Sequence, residues 1–466
     1  MSHRFRACTL DQPLLLPPSL QDWLPEDHLA RFVADVAEQL DLSPIYAAYT
    51  RKDGRGQEGY HPLLLTRLLL YSYCQGVTSS RRIERKTHED VAFRFLAADQ
   101  HPDHDTIASF RQRHLEALAG LFTQALQMCQ MAGLVKLGHI AIDGTKLKAN
   151  ASKHKAMSYE RMGAAEQKLR KQIEELLQQA EAVDATEDAQ YGKGKRGDEL
   201  PAELARREKR LEKIRAVKAA LEAEAKRQAE ERKAAVEAKR AERRQKKAET
   251  GRKTGGREPQ APDPEQAVPE AKAQRNFTDP DSRIMPDGSN KGSFVQGYNA
   301  QAAVDSQAQV IVAAEVVQAT NDKQQLVPLV EQAEANLGQK PAAVSADSGY
   351  WSEANVTAEG VAGIDLYVAT GRKKDEEKNE PESESPPENV SAKEKMASKL
   401  RMGEGQAVYK MRKAIVEPVF GQMKEARGIR RFSMRGLAKV RAEWRLICLT
   451  HNLLKLYRSG WQPQGA

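Results

Sequence analysis

The amino-acid sequence predicts a mixed α/β core that is preceded by an all-helical N-terminal domain and interrupted by a long charged helical insertion. Three observations lead to this fold class. The chain has 466 residues, about three times the ~150 residues of a typical domain, so it is long enough for more than one structural unit. The spacing of apolar residues changes from helical to strand-like near residue 139. Residues 155–275 differ in composition from the sequence on either side.

The composition disfavours several classes of protein. Charged residues make up 30% of the chain against a typical ~25%, with a net charge of +8, so the location of the excess charge matters. The four cysteines lie far apart without a CxxC pair, which disfavours a disulfide framework or a zinc finger and indicates a reducing compartment. The sequence shows no signal peptide and no run of about 18 apolar residues. We therefore expect a soluble cytoplasmic protein with no membrane partner.

Residues 1–135 are predicted to form the helical N-terminal domain, because apolar residues recur at helical spacing over residues 29–36 and 61–73. Basic residues cluster near the starts of the following short helices. Helix N-termini and guanidinium groups both bind oxyanions, so Arg81, Arg82 and Arg111 are candidate DNA-phosphate contacts. The alternative interpretation is that these charges form the solvated face of a helical bundle.

The core is predicted over residues 136–154 and 276–460, in the order β, β, β, α, β, α, β followed by two helices. The first strand, residues 139–149, carries Asp143 in its middle, and a carboxylate there must be paired or bound to a cation. The later elements have the alternation or the helical spacing expected of each type. Their predicted ranges are strands at 293–305, 309–317, 343–346 and 364–368, and helices at 322–337, from 352, at 407–428 and at 437–457.

Most of the excess charge lies in the insertion, residues 155–275. Residues 201–250 contain 17 Lys+Arg and 10 Asp+Glu, so the local net charge is +7. This composition predicts a long solvated helix or helical hairpin that fades into disorder through Gly255, Gly256 and residues 259–272. Its role stays open between a solvated arm, a dimerisation coiled coil and an extra DNA contact. A second polar segment, residues 373–400, is predicted to be a flexible loop.

Three acidic residues stand out by their positions. Asp143 lies in the first strand, Asp347 ends the fourth strand, and Glu417 lies in a helix that shares one face with Lys413 and Lys424. In an open sheet the strand ends face a covering helix, so the three acids can converge. Oxygen ligands without a histidine or cysteine cluster favour Mg²⁺ or Mn²⁺ over zinc, and two such ions support phosphoryl transfer. A single aspartate is more often a cap or an ion-pair partner.

These residues resemble the three sequence blocks of bacterial insertion-sequence transposases with a DDE active site. The blocks are residues 142–146 (IDGTK), 346–350 (ADSGY) and 416–424 (VEPVFGQMK), and residues 102–111 are similar to the end of the family's N-terminal region. The resemblance implies a ribonuclease-H-like core with Asp143, Asp347 and Glu417 as catalytic residues and as the ligands of two Mg²⁺ or Mn²⁺ ions.

The family signature around the glutamate is tyrosine, two residues, arginine, three residues, glutamate, six residues, lysine. Tyr409, Arg412, Glu417 and Lys424 fit this signature, except that four residues separate Arg412 from Glu417. Either Arg412 is the signature arginine displaced by one position, or Lys413 takes its place. The resemblance implies that these side chains contact DNA.

The implied function is a DNA transposase that binds the terminal inverted repeats, cleaves at the element ends and joins the 3′-hydroxyl to target DNA. We expect double-stranded DNA as the partner, a homodimer on DNA and association with the nucleoid. One alternative is a catalytically silent DNA-binding protein descended from a transposase. Another is a structural protein whose basic helix coats DNA, which predicts binding that about 150 mM salt largely abolishes. The sequence has no HExxH, GxSxG or GxxxxGK[ST] motif, which disfavours other hydrolases and ATPases.

Overall fold

The computed structural model of the chain describes residues 19–49, 59–191, 202–250, 260–287, 292–371 and 391–463. It contains two compact units. The first combines Met1–Lys148 with Tyr298–Ala466, and the second is Ala149–Gly297. None of the described helices has the length and hydropathy needed to cross a membrane.

The secondary structure alternates between helical and mixed regions. In chain order the described helices are α1 (Leu29–Gln39), α2 (Ser43–Tyr46), α3 (Pro62–Cys74), α4 (Ser80–Glu89), α5 (Val91–Leu96), α6 (His104–Arg113), α7 (Leu115–Met131), α8 (Tyr159–Tyr191), α9 (Ala202–Thr250), α10 (Leu326–Leu337), α11 (Glu353–Val356), α12 (Ala392–Lys399), α13 (Gly403–Gly421) and α14 (Leu437–Arg458). The described strands are β1 (His139–Lys148), β2 (Ala156–Ser158), β3 (Gln274–Asn276), β4 (Arg283–Pro286), β5 (Phe294–Asp305), β6 (Ile311–Val317), β7 (Ala343–Ala346) and β8 (Asp365–Val368).

The N-terminal helices α1 to α7 belong to the first unit together with the sheet. The predicted helices at 29–36 and 61–73 are confirmed as α1 and α3. Helix starts are fixed by side-chain caps, since Asp90 accepts from the backbone of α5 and Asp103 accepts from Thr106 in α6. Helix α14 is buried along most of its length and packs against both α3 and α7. The N-terminal helices and the C-terminal helix therefore share one apolar core.

The sheet of the first unit has the strand order β6, β5, β1, β7, β8. Strands β1, β7 and β8 are parallel, and β5 pairs with β6 as the predicted antiparallel hairpin. In the register of β1 with β7, Ile142 lies opposite Ala346. Because the two strands are parallel, the residues that follow this pair, Asp143 and Asp347, lie side by side at the same edge of the sheet.

Helix α10 begins at Leu326, four residues later than predicted, and ends as predicted at Gly338 in the left-handed conformation (φ 73°). The later start leaves Asp322 in a loop, where its side chain is free to bond to β5. Helix α13 contains Pro418 and is followed by a π-helical turn at Gln422–Ala426.

One predicted loop is wrong in part. Residues 372–390 lie outside the described residues, but Ala392–Lys399 form α12 instead of continuing the loop predicted to residue 400. The Ser391 side chain accepts from the Glu394 backbone N–H while Glu394 reaches back to Ser391, which is a capping box that initiates a helix. The helix-forming residues after it outweigh the polar composition on which the loop prediction depended.

The second unit consists mainly of the helices α8 and α9 with the short pair β2 and β3. Tyr159 donates to Glu222, and Glu166 accepts from both Arg215 and Lys218, so the two helices run antiparallel. Their contact is apolar and is formed by Met162, Leu169, Leu211, Ile214 and Leu221. This helical hairpin is one of the two forms that the sequence predicts for the insertion.

The disorder predicted for residues 259–272 is wrong for residues 260–272. They contain a 3₁₀ turn at Pro264–Gln266 that is capped by Asp263, and Glu265 pairs with Lys226 of α9 at 2.5 Å. Local capping and packing on α9 order a segment whose composition is typical of disorder. Gly255 and Gly256 lie outside the described residues.

Candidate active site

Asp143 and Asp347 form the centre of the candidate site. Each carboxylate accepts a hydrogen bond from a nearby glycine N–H at 2.8 Å, Asp143 from Gly144 and Asp347 from Gly349. Burial raises the pKa of Asp143, the negative charge of Asp347 raises it further, and Arg412 opposes both effects. Two carboxylates are therefore held together at the edge of the sheet, where a cation would stabilise them.

Arg412 supplies one positive charge at this edge. Its Nη1 donates to Oδ2 of Asp143 at 3.0 Å, and its side chain is only 9% exposed. The guanidinium also lies over the Tyr409 ring, 5.9 Å from the centroid, while its buried Nε has no hydrogen-bond partner among the described residues. Arg412 is therefore an interior cation that pairs with Asp143. It does not lie on the surface, where the predicted phosphate contact would place it.

A further acidic residue, Asp322, lies in the same site as Asp143 and Asp347, and the sequence did not single it out. Its Oδ1 accepts from Asn299 Nδ2 at 2.6 Å and from Gln301 Nε2 at 2.7 Å. Both amides belong to β5 and are fully buried. The available signal was two amide residues at alternate positions of a buried strand, since both point to one face of the sheet.

Gly144 leaves the space that this polar network occupies. A Cβ at Gly144 would lie 2.3 Å from Gln301 Nε2, closer than real contacts allow, and 3.0 Å from Oδ1 of Asp322, which is a tight contact. The hydroxyl of the fully buried Tyr350 donates to Oε1 of Gln301. The glycine in the IDGTK block therefore permits a close approach between β1 and the side chains of β5.

Lys146 is a second cation of the site. Its Nζ lies 3.7 Å from Oδ1 of Asp322. Burial lowers the pKa of the Lys146 ammonium, while Asp322, Asp143 and Asp347 act in the opposite direction. The ammonium thus faces all three aspartates and lies where it could meet an anionic substrate group.

Glu417 and Lys413 lie exposed on α13. Glu417 has no hydrogen bond or ion pair with a described residue. In the described part of the chain no group of three or more Asp, Glu, His or Cys side chains is close enough to hold a metal ion. The structure thus brings Asp143 and Asp347 together but does not gather Glu417 into one group with them. Lys424 donates to the backbone oxygen of Lys146 at 3.2 Å.

The N-terminal candidates have different surroundings. Arg81 and Arg82 are exposed on α4. Arg111 is 7% exposed and donates from Nη1 to the Tyr73 hydroxyl at 3.1 Å and to the Thr78 backbone oxygen at 2.7 Å. Arg111 therefore joins α6 to α3 in the interior, where a DNA phosphate does not reach it.

The donor set fits a hard divalent cation. Carboxylate oxygens from Asp143 and Asp347 are the ligands that Mg²⁺ and Mn²⁺ prefer, and Mg²⁺ completes its shell with water and substrate phosphate. The Asp143 side chain is only 22% exposed, and its ion pair with Arg412 offsets part of the cost of removing the carboxylate from water. The described cysteines, Cys74, Cys129 and Cys448, are buried and free, and none lies in this group.

Two family models match the chain. Residues 18–113 match the family described as Transposase domain (DUF772), and residues 250–453 match the family described as Transposase DDE domain. The second match includes Asp347 and Glu417 and begins after Asp143. No curated protein and no solved structure is found to match the chain.

Proposed function

Because the chain belongs to the DDE-type insertion-sequence transposases, we propose that it binds the terminal inverted repeats of its element and cleaves at the ends. The freed 3′-hydroxyl is then joined to target DNA. The family is one of metal-dependent enzymes that cut and transfer DNA strands. We propose end recognition, cleavage and joining as the three steps that this chain performs.

The observation that carries the proposal is the register of β1 with β7, which sets Asp143 beside Asp347. The strand order β6, β5, β1, β7, β8, with an antiparallel hairpin on one side and parallel strands on the other, supports a ribonuclease-H-like core. In such an open sheet, sites form where the strand ends meet a covering element. The two aspartates lie at that position, next to α13.

Asp143, Asp347 and Glu417 are the proposed ligands of two Mg²⁺ or Mn²⁺ ions. When bound, such a pair activates an attacking water or 3′-hydroxyl and stabilises the leaving oxygen. Asp143 and Asp347 contribute oxygens held in place by the backbone N–H groups of Gly144 and Gly349. The support for Glu417 is its place in the sequence block VEPVFGQMK, on a helix that packs against β1 and β7.

Positive side chains around the acids are the proposed contacts of the DNA backbone. Lys146 and Lys424 come from β1 and from the turn after α13, and Lys424 bonds to the Lys146 backbone oxygen. We propose that both orient a phosphate beside the aspartates. Arg81 and Arg82, exposed on α4, together with Tyr409 and Lys413 on α13 are further proposed contacts.

We also propose a homodimer on DNA, because transposition must bring two element ends together. The chain would act in the cytoplasm on nucleoid DNA. Sedimentation of the protein with end DNA should show two protomers for two ends, and one protomer per synapsed pair would contradict the dimer.

The proposal is tested with a plasmid that carries the DNA flanking the gene. With Mg²⁺, the wild-type protein should cut both strands or one strand at fixed positions, and Glu417→Gln should bind the same fragment without cutting it. Glu404→Gln, the same change at an exposed residue in the first turn of α13, is the control for a general disturbance of the helix. If the wild-type protein binds the ends but cuts with neither Mg²⁺ nor Mn²⁺, the silent DNA-binding protein is the better description.

A further inference from the structure

The distal half of α9 has its charges sorted onto opposite sides of the helix. With 3.6 residues per turn, seven of the eight cations from Lys226 to Arg244 lie within one arc of about 140°. We call this arc the basic face, and it consists of Lys226, Arg232, Lys233, Lys239, Arg240, Arg243 and Arg244. The acidic residues Glu230, Glu231 and Glu237 lie on the opposite arc of about 120°.

The proximal half of the same helix differs. There, the seven cations from Arg206 to Lys218 spread over an arc of about 240°, and Glu222 and Glu224 lie within the same arc. Its apolar residues, such as Leu211 and Ile214, pack against α8. A helix stabilised only by its own ion pairs would show mixed charges throughout. The sorting of the distal half therefore calls for another explanation.

Four cations of the basic face are open to solvent. Arg232, Lys233, Lys239 and Arg244 are exposed and have no ion pair or hydrogen bond with a described residue. These four cations extend from Arg232 to Arg244, over roughly 18 Å at 1.5 Å per residue. Such a row of uncompensated cations is the electrostatic footprint of a polyanion.

The residue types of α9 indicate which kind of polyanion the basic face binds. After Leu221 the only large apolar residue of α9 is Val236, so the helix lacks the apolar face that an interfacial membrane helix needs. The same lack removes the apolar seam of a coiled coil. No aromatic residue is present in α9 for stacking on unpaired bases, which disfavours single strands.

We propose that the basic face of α9 binds the phosphate backbone of duplex DNA without regard to sequence. Arginine and lysine on one side of a straight helix neutralise successive phosphates, and the released counterions drive binding. The site is separate from the catalytic acids in sequence and function. It adds affinity for any duplex, including the DNA outside the element ends, and takes no part in the chemistry.

The test measures DNA affinity against salt with the full chain. The variant of the basic face, called the arm variant, carries Arg232→Gln, Lys233→Gln, Lys239→Gln and Arg244→Gln. The matched control carries Arg206→Gln, Lys209→Gln, Arg210→Gln and Lys213→Gln on the same helix, with the same change of charge. The probe is a 30-base-pair duplex of random sequence, and circular dichroism checks that both variants keep their helices.

The arm variant should bind this duplex at least about 10-fold more weakly than the wild type at roughly 100 mM salt. The slope of log affinity against log salt should fall by about 3 to 4, because each lost phosphate contact removes about 0.9. The control should keep the wild-type slope within about one contact.

Equal losses in both variants would overturn the proposal, because they would reflect net charge alone. Unchanged binding by the arm variant would also overturn it. If that variant instead alters only the sedimentation coefficient of the free protein, the basic face pairs with the acidic side of a second copy. Tighter binding of an RNA duplex of the same sequence would replace DNA as the partner. Cutting at the element ends is scored separately, so failure here leaves the proposed transposase activity standing.

Discussion

The guanidinium of Arg412 donates from Nη1 to Oδ2 of Asp143 across 3.0 Å, and both groups are largely withdrawn from water. Removal of the cation that is hydrogen-bonded to a largely buried carboxylate is strongly destabilising. The Arg412 guanidinium is also adjacent to the place where a metal ion would bind. Arg412 and a divalent ion would therefore both neutralise the Asp143 carboxylate.

Arg412→Gln should lower the free energy of unfolding by about 2 kcal/mol in EDTA, because Asp143 is left without its partner. Mg²⁺ should recover part of that loss by supplying positive charge beside Asp143. Urea unfolding with EDTA and with Mg²⁺ measures the difference, and Lys413→Gln serves as the exposed neighbour. An identical loss in both conditions would show that no cation binds next to Asp143.

Asp322→Ala should destabilise the protein by about 2 to 4 kcal/mol, since Asn299 and Gln301 would each lose the acceptor of a buried amide N–H. Asp322→Asn keeps an acceptor oxygen in place and should cost clearly less. The comparison is made by urea unfolding of the two variants. Equal losses would mean that the charge toward Lys146, and not the acceptor oxygen, is what stabilises the fold.

Gly144→Ala should displace Gln301 and the Asp322 carboxylate, because the new Cβ would meet Gln301 Nε2 at 2.3 Å. We expect a loss of about 1 to 3 kcal/mol in stability and a marked loss of DNA cleavage. Gly138→Ala is the control, since a Cβ at Gly138 meets nothing within 4 Å. Wild-type cleavage by Gly144→Ala would show that the network does not shape the site.

The second unit should lose stability in acid through Glu166. Hydrogen bonds from Lys218, Arg170 and Arg215 lower the pKa of Glu166 to about 2, from an ordinary 4.5, although burial opposes the shift. The stabilisation is present above pH 4.5 and is lost as the pH falls from 4.5 towards 2.

Glu166→Gln should therefore reduce stability by about 1 kcal/mol at pH 7 and flatten the acid side of the pH profile. Thermal unfolding between pH 7 and 3 measures both effects. Glu174→Gln, on the exposed side of α8, should behave as the wild type. A Glu166→Gln profile parallel to the wild type would contradict the pKa assignment.

The sequence predicts most elements of the core because each has its own local pattern. Residues 139–149 alternate as a strand and fold as β1, and residues 343–346 fold as β7. Since parallel strands meet at a common edge, the proximity of Asp143 and Asp347 follows from this order once the two strands pair. Local pattern and simple topology are enough for that part of the site.

The remaining parts depend on contacts between distant segments. Asp322, in a loop, belongs to the site because Asn299 and Gln301 of β5 donate hydrogen bonds to it. Arginine is a residue type that often contacts DNA phosphates at a protein surface. Arg111 instead donates hydrogen bonds to Tyr73 and Thr78 in the interior. Sequence spacing within one helix does not reveal which of its faces a neighbouring helix will cover.

Asp143, Asp347 and Glu417 are the proposed metal ligands of the cleavage reaction. The most direct measurement is end cleavage by Asp143→Cys, Asp347→Cys and Glu417→Cys with Mg²⁺ and with Mn²⁺. A thiolate is a poor ligand for Mg²⁺ and a better one for Mn²⁺, so each variant should be inactive with Mg²⁺ and regain cleavage at the wild-type positions with Mn²⁺. A cysteine variant that cuts equally well with both ions would contradict the assignment of that residue.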